Sequence, residues 1–272
     1  MIDRTRSLLD VDKLKTIFGL KRRPHHKVET SSPHMERVLD ASAYDLTVFK
    51  VHFGKLTLKM YDKGDRVLRI EAIAHNTKEL KCGSVLDKLP NMLAKLQLMV
   101  SGFLNVVCAA NISYLDDGTL DAISEPTQRG NKRLAGIDMQ KPRMRTVCEA
   151  ALALAAAPKG FNAKDLAEKA GEIMRDKTYT ARQAAYDMNK LRGKSILVPV
   201  RKSRRYCLST EGVQVLAGLI ILREKVIKPL LTGICKKTVG RPPKNERPSD
   251  TKYERIRHDM LDLLGELHLV PT

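Results

Sequence analysis

Between Thr180 and Gly212 the chain reads TARQAAYDMNKLRGKSILVPVRKSRRYCLSTEG and changes its hydrophobic period twice. A backbone follows a 3.6-residue period as a helix and a two-residue period as a strand, so this stretch must fold as helix, ribbon and helix. Thr180 followed by Gln183 has the spacing of a capping box, which starts a helix that runs to about Arg192. At about 100° per residue, Ala181, Ala184, Ala185, Met188 and Leu191 share one stripe for burial, while Arg182, Gln183, Tyr186, Asn189 and Lys190 project from the other side. SILVPV and RYCLS have strand composition, and RKSRR joins them as a tip with four positive charges.

Two helices precede this one. RMRTVCEAALALAAAP predicts a helix from Arg143 to about Ala157, stopped by Pro158, with Val147, Ala151 and Leu154 on one stripe. Asn162 can cap the next, AKDLAEKAGEIM, which buries Leu166, Ala170 and Ile173. After the ribbon, TEGVQVLAGLIILREKVIKPLLTGI is apolar on nearly every side over its first half and kinks at Pro229. Such a helix packs inside its own domain or against a partner subunit.

Upstream the pattern differs. Residues 1 to about 20 carry an apolar stripe of Leu8, Leu9, Leu14, Ile17 and Phe18, and KRRPHHKVETSSPH reads as a loop. Leu56, Leu58 and Met60 alternate with polar residues, DKGD makes a turn, and Leu68, Ile70 and Ala72 alternate again, which predicts a β-hairpin joined by the earlier strand DLTVFKVHF. From Val85 to about Leu115 helical spacing returns, giving a helix to cover the sheet. The expected class is α+β: an N-terminal antiparallel hairpin or small sheet with helices over 1–135, a mainly helical domain over 136–234, and a basic linker with a terminal helix over 235–272.

The 272 residues carry 49 Lys and Arg against 31 Asp and Glu, a formal charge of +18, which favours polyanionic partners and nucleic acid first. The charge is clustered: Thr178 to Tyr206 holds eight basic residues against the single acid Asp187. Arg, Gln and Asn can bond bidentately to guanine and adenine edges in the major groove, and a cationic ribbon beside them would bind sugar-phosphate by counterion release. The five cysteines are odd in number, scattered and without C-x-x-C spacing, so they suggest buried thiols rather than disulfides or zinc ligands. MIDRTRSLLDVDKLK has no apolar signal region, and no stretch approaches about 18 uninterrupted apolar residues, so the expectation is a cytoplasmic protein without a membrane partner.

From Arg143 to Ile234, about a third of the chain, DMNKLRGKSILVPVRKSRRYCLSTEGVQVL resembles a winged helix-turn-helix domain of the MarR-like kind, with Leu208 to Gly212 similar to that family's L-[ST]-x-x-G approach to the next helix. The resemblance implies duplex DNA binding by third helix and wing, often as a homodimer on palindromic sites. Gly240, Arg241 and Pro242 resemble the core of an AT-hook that inserts its arginine into the minor groove, with Val239 where the usual arginine precedes the glycine. A flexible basic linker is the other reading of that segment. The residues expected to meet double-stranded DNA are Thr180, Arg182, Gln183, Tyr186, Asn189, Lys190, Lys194, Arg201, Lys202, Arg204, Arg205 and Arg241. No cofactor or metal is called for.

An enzyme is the rival reading. KLTLKMYDKGDRVLRIEAIAHN is similar to a hairpin in uncharacterised bacterial proteins that travel with mobile elements, and more distantly to replication initiators in which a tyrosine attacks a phosphodiester beside a metal. Tyr61, Lys63, Glu71 and His75 would be its candidates, although His25 and His26 are adjacent and would point opposite ways on a strand. Cross-strand pairing of Lys59, Tyr61, Arg69 and Glu71 is the preferred reading. A protein-interaction module built on the same winged surface is a further alternative. G-x-S-x-G, P-loop and dinucleotide signatures are absent from the sequence.

Overall fold

Alternation in Leu56–Lys63 buries one face of a strand only when neighbouring strands complete the apolar surface. The computed structural model, which describes residues 34–41, 46–63, 67–80, 82, 86–111, 115, 117–175, 178–230 and 248–267, supplies four antiparallel strands. They follow in chain order as β1 (His34–Ala41), β2 (Leu46–Phe53), β3 (Leu56–Lys63) and β4 (Val67–Ala74). Sequence patterning finds β2 to β4. It misses β1, whose period-two signal is broken by a register shift between Arg37 and Leu39. Val51 opposes Leu58, Leu58 opposes Ala72 and Met60 opposes Ile70, so one face is a continuous apolar layer.

Helix α1 (Leu89–Asn111) packs against β4 and buries Met99, Phe103, Val106, Val107 and Ala110. By length and composition it is also long and apolar enough to cross a membrane, which a search for uninterrupted apolar runs overlooks because Lys95, Gln97, Ser101 and Asn105 punctuate it. The core helix of a folded domain meets the same criterion, and Leu93 and Leu98 are left exposed.

Next come α2 (Asp117–Ser124) and a short hairpin, β5 (Thr127–Arg129) and β6 (Lys132–Leu134), in the segment whose charges and turn residues read as a boundary near residue 135. Three helices follow: α3 (Pro142–Ala153), α4 (Ala163–Met174) and α5 (Ala181–Gly193). Then come β7 (Leu197–Pro199), β8 (Tyr206–Leu208) and α6 (Thr210–Leu222). The fold is therefore α+β, an N-terminal antiparallel sheet followed by a mostly helical region.

Local chemistry sets the helix ends. α3 stops at Ala153 rather than Ala157: Ala155 and Ala157 bond three residues back, and Pro158 has no N–H with which to continue a ladder. Val147, Ala151 and Leu154 are buried as the spacing predicts. On α4 Leu166 and Ala170 are buried, whereas Ile173, in the last turn, is 37% exposed. On α5 Ala184, Met188 and Leu191 form the buried stripe and Ala181 and Ala185 lie exposed on its flanks, so the stripe is narrower than expected.

The chain forms two compact units, 1–220 and 221–272, and the expected boundary near residue 135 falls inside the first. In the second, a π-helical turn (Arg223–Ile227) precedes Pro229. Proline has no N–H to give Lys225, four residues back, and that carbonyl accepts from the Tyr253 hydroxyl of α7 (Pro248–Glu266) instead. The helix distortion expected at Pro229 thus takes the form of a widened turn upstream of it. The stripe expected in residues 1–20 and the Gly240–Pro242 segment lie outside the described residues.

Candidate nucleic-acid interface

Helices α3, α4 and α5 pack against one another, and their order places the third at the surface beside the β7–β8 ribbon. The ribbon gains a third strand position: Phe161 donates to Tyr206 O and accepts from Tyr206 N, both at 2.8 Å. Gly160 makes this possible. It has φ +65°, and a β-carbon there would lie 2.3 Å from the Tyr206 carbonyl oxygen. A bridge of one residue between α3 and α4 has no periodicity, so the sequence does not announce it.

At the start of α5 the capping box forms as its spacing predicts. Thr180 Oγ1 accepts from Gln183 N at 3.3 Å, and Gln183 Oε1 accepts from Thr180 N at 2.8 Å and from the Thr180 hydroxyl at 3.1 Å. Thr180 and Gln183 are exposed, but the Gln183 carbonyl oxygen is occupied by the cap, which leaves its amide N–H groups to face outward. Arg182 is exposed and Tyr186 is 55% exposed, a large fraction for an aromatic ring. The outward projection expected of Asn189 and Lys190 is not what the packing allows. Asn189 Oδ1 accepts from Arg192 at 3.0 Å, and the Lys190 side chain, only 16% exposed, lies between the Tyr186 ring and Asp187 Oδ1.

The tip of the ribbon is closed by its own polar groups. Val200 N donates to Arg205 O at 2.8 Å, the Ser203 hydroxyl donates to Val200 O at 3.0 Å, and Lys202 takes φ +57°. Arg201, Lys202 and Arg204 are left fully outward. Arg205 turns inward, donating to Gly160 O at 3.1 Å and pairing with Asp165, the residue that completes the capping box of α4. Lys194 reaches back to the carbonyl of Ala122. Five of the expected contact residues, Arg182, Tyr186, Arg201, Lys202 and Arg204, therefore form the open face, with Thr180 and Gln183 at its capped edge. Asn189, Lys190, Lys194 and Arg205 serve the fold, and Arg241 lies outside the described residues.

Asp187 orients this face, a role that sequence reading did not give it. It is 2% exposed, and its Oδ2 accepts from Arg143 at 2.7 and 2.9 Å and from the Tyr179 hydroxyl at 2.9 Å. The signal was an acid standing between Ala184 and Met188, on a stripe otherwise apolar. Burial, reinforced by the charge of Asp187, pushes the Tyr179 hydroxyl well above its ordinary range. Burial likewise raises the thiols of Cys148 and Cys207. The four described cysteines are all free, and only Cys148 is fully buried.

On the outer face of the N-terminal sheet Lys59 opposes Glu71 and Tyr61 opposes Arg69. The Tyr61 hydroxyl donates to Glu71 Oε1 at 2.7 Å and accepts from Arg69 at 3.3 Å, with the Lys59 ammonium 4.4 Å from the ring centre. Lys63 ends β3 opposite Val67, and His75 Nε2 lies 3.0 Å from the Thr57 hydroxyl. The pairing of Lys59, Tyr61, Arg69 and Glu71 is the expected cross-strand arrangement. Among the described residues no group of three or more His, Cys, Asp or Glu could hold a metal ion.

No protein-family model matches the chain, and no curated protein or solved structure is detectably similar to it.

Proposed function

We propose that the chain binds duplex DNA through a winged helix, with α5 presented to the major groove and the β7–β8 tip laid against the adjoining sugar-phosphate backbone. One observation carries the reading: an exposed polar helix face and an exposed cationic tip belong to the same small body, in which β7 packs on α5, Arg192 of α5 stacks on Tyr206 of β8, and Arg205 ties the tip to Asp165 of α4. Arg182 is the leading base-reading side chain because it has no hydrogen bond or ion pair among the described residues, whereas Gln183 must release its cap before it can use both amide groups on adenine. Arg201, Lys202 and Arg204 supply non-specific affinity. The MarR-like resemblance, with its implied homodimer, and a role as regulator or mobile-element accessory protein belong to this same proposal.

Selection of bound duplexes from a random pool tests it. An enriched half-site is expected with the wild type, and Arg182→Ala should relax one or two positions within it, at about 1 to 3 kcal/mol for each lost contact. A wild-type chain that shows no salt-dependent duplex affinity would overturn the reading.

A further inference from the structure

The β5–β6 hairpin, TQRGNKRL, sits beside the expected domain boundary near residue 135, and it is docked on the same helix that carries the candidate interface. Its strands pack against α5. A β-carbon on Gly193, the last residue of α5, would meet Leu134 Cδ1 at 3.2 Å and Thr127 Cβ at 3.5 Å, so the open end of the hairpin is seated on the C-terminal turn of the helix. Thr127 and Leu134 are paired at that seat, and Arg129 is paired with Lys132 at the far end. Two residue steps of strand lift Arg129 and Lys132 about 7 Å from the point of docking.

The turn is built to be short and stiff. Gly130 and Asn131 alone connect the strands, and Gly130 has φ +56°, the position at which a two-residue hairpin turn takes glycine. Arg129, Gly130, Asn131, Lys132 and Arg133 are all exposed. The hairpin contains three basic residues and no acid, and neither Arg129, Lys132 nor Arg133 forms an ion pair among the described residues. Arg129 directly opposes Lys132 across the strands, and like charges in that relation destabilise a ribbon. In the N-terminal sheet Lys59 likewise opposes Lys50, but there Glu71 stands opposite Lys59 on its other side, and the β5–β6 hairpin holds no such acid. A polyanion laid across the tip would remove the repulsion between Arg129 and Lys132.

We infer that β5–β6 is a second wing, binding the sugar-phosphate backbone of the same duplex beyond the C-terminal end of α5. The helix is thereby flanked by two basic hairpins, β7–β8 following it in the chain and β5–β6 docked on its last turn. This rests on the proposed duplex binding, and it adds that the footprint extends past the stretch met by α5 and β7–β8.

The test compares the full-length chain with Arg129→Ala/Lys132→Ala/Arg133→Ala and with Arg129→Lys/Arg133→Lys. The probes are a mixed-sequence duplex of about 30 base pairs and one of about 12, little more than a helical turn. On the longer duplex the alanine variant should flatten the log–log salt slope by about two to three, and the lysine variant should keep the wild-type slope. The alanine variant should also lose backbone protection at one edge of the footprint, and all three chains should bind the shorter duplex alike. Because the side chains are exposed and the Arg129–Lys132 repulsion is removed, an unchanged circular dichroism spectrum and no loss of melting temperature are expected. If the alanine variant melts early, Arg129→Glu alone replaces it, with the same direction of change expected. Wild-type binding that Arg204→Ala weakens, together with an unaltered slope and footprint in the hairpin variants, would overturn the second wing and leave the proposed function standing. Absence of wild-type duplex binding would overturn both.

Discussion

Arg204 projects from the tip of the β7–β8 ribbon, whereas the next residue, Arg205, turns inward to Asp165 and the Gly160 carbonyl. Both read as phosphate contacts in sequence, because charge density says nothing about which side chain finds an intramolecular partner. Their substitutions should separate cleanly. Arg204→Ala is expected to leave the melting temperature unchanged and flatten the salt slope of duplex binding by about 0.9. Arg205→Ala should cost about 1 kcal/mol of stability, a figure that allows for the partly solvated pair, and lower the melting temperature measurably. Tyr179 makes a different prediction. Its hydroxyl ionises above the ordinary value of 10.0 because it is buried and faces Asp187. A folded-state value raised above the unfolded one contributes stability that is complete below about pH 10 and is lost as pH rises toward the folded value. Chemical denaturation across that alkaline range should show a steeper decline for the wild type than for Tyr179→Phe.

At the scale of elements, helix identity and caps were legible because their causes are local: Thr180 with Gln183, Asn162 ahead of α4, and Pro158 after α3. β1 and β5–β6 were not, since a bulge interrupts the alternation of one and the other is too short to have any. The widened turn before Pro229 shows how one local rule acquires a tertiary answer. The proline was visible as a helix breaker, but the hydroxyl that satisfies the Lys225 carbonyl comes from Tyr253, on another helix. Tyr253→Phe should therefore cost about 1 kcal/mol in the wild-type chain. In a Pro229→Ala background, where residue 229 regains an N–H, the same substitution should cost much less. A double-mutant cycle by urea denaturation measures the difference, and additive effects would contradict the link.

For the first unit as a whole, the N-terminal sheet and the three-helix region are not independent beads on a string. A β-carbon on Gly102 of α1 would approach the Ala155 carbonyl oxygen to 2.7 Å, so this helix lies directly against the turn that follows α3. Gly102→Val is expected to destabilise the helical region by about 1 to 3 kcal/mol through overpacking. Hydrogen exchange in α3 to α5 would reveal it, with unchanged protection there counting against the contact. The sequence by itself determined the α+β class, the order of helices and ribbon, most of the buried stripes, and the concentration of positive charge around residues 178–206. Periodicity, capping and charge density are properties of neighbouring residues, and neighbours are what a linear text records. Only the tertiary structure decided which cations remain open, that Asp187 anchors α5 to Arg143 and Tyr179, and that a second basic hairpin rests on Gly193. Each of those depends on a partner supplied by a distant segment, and a buried charge finds its partner, like an exposed one its vacancy, only when the chain has closed on itself.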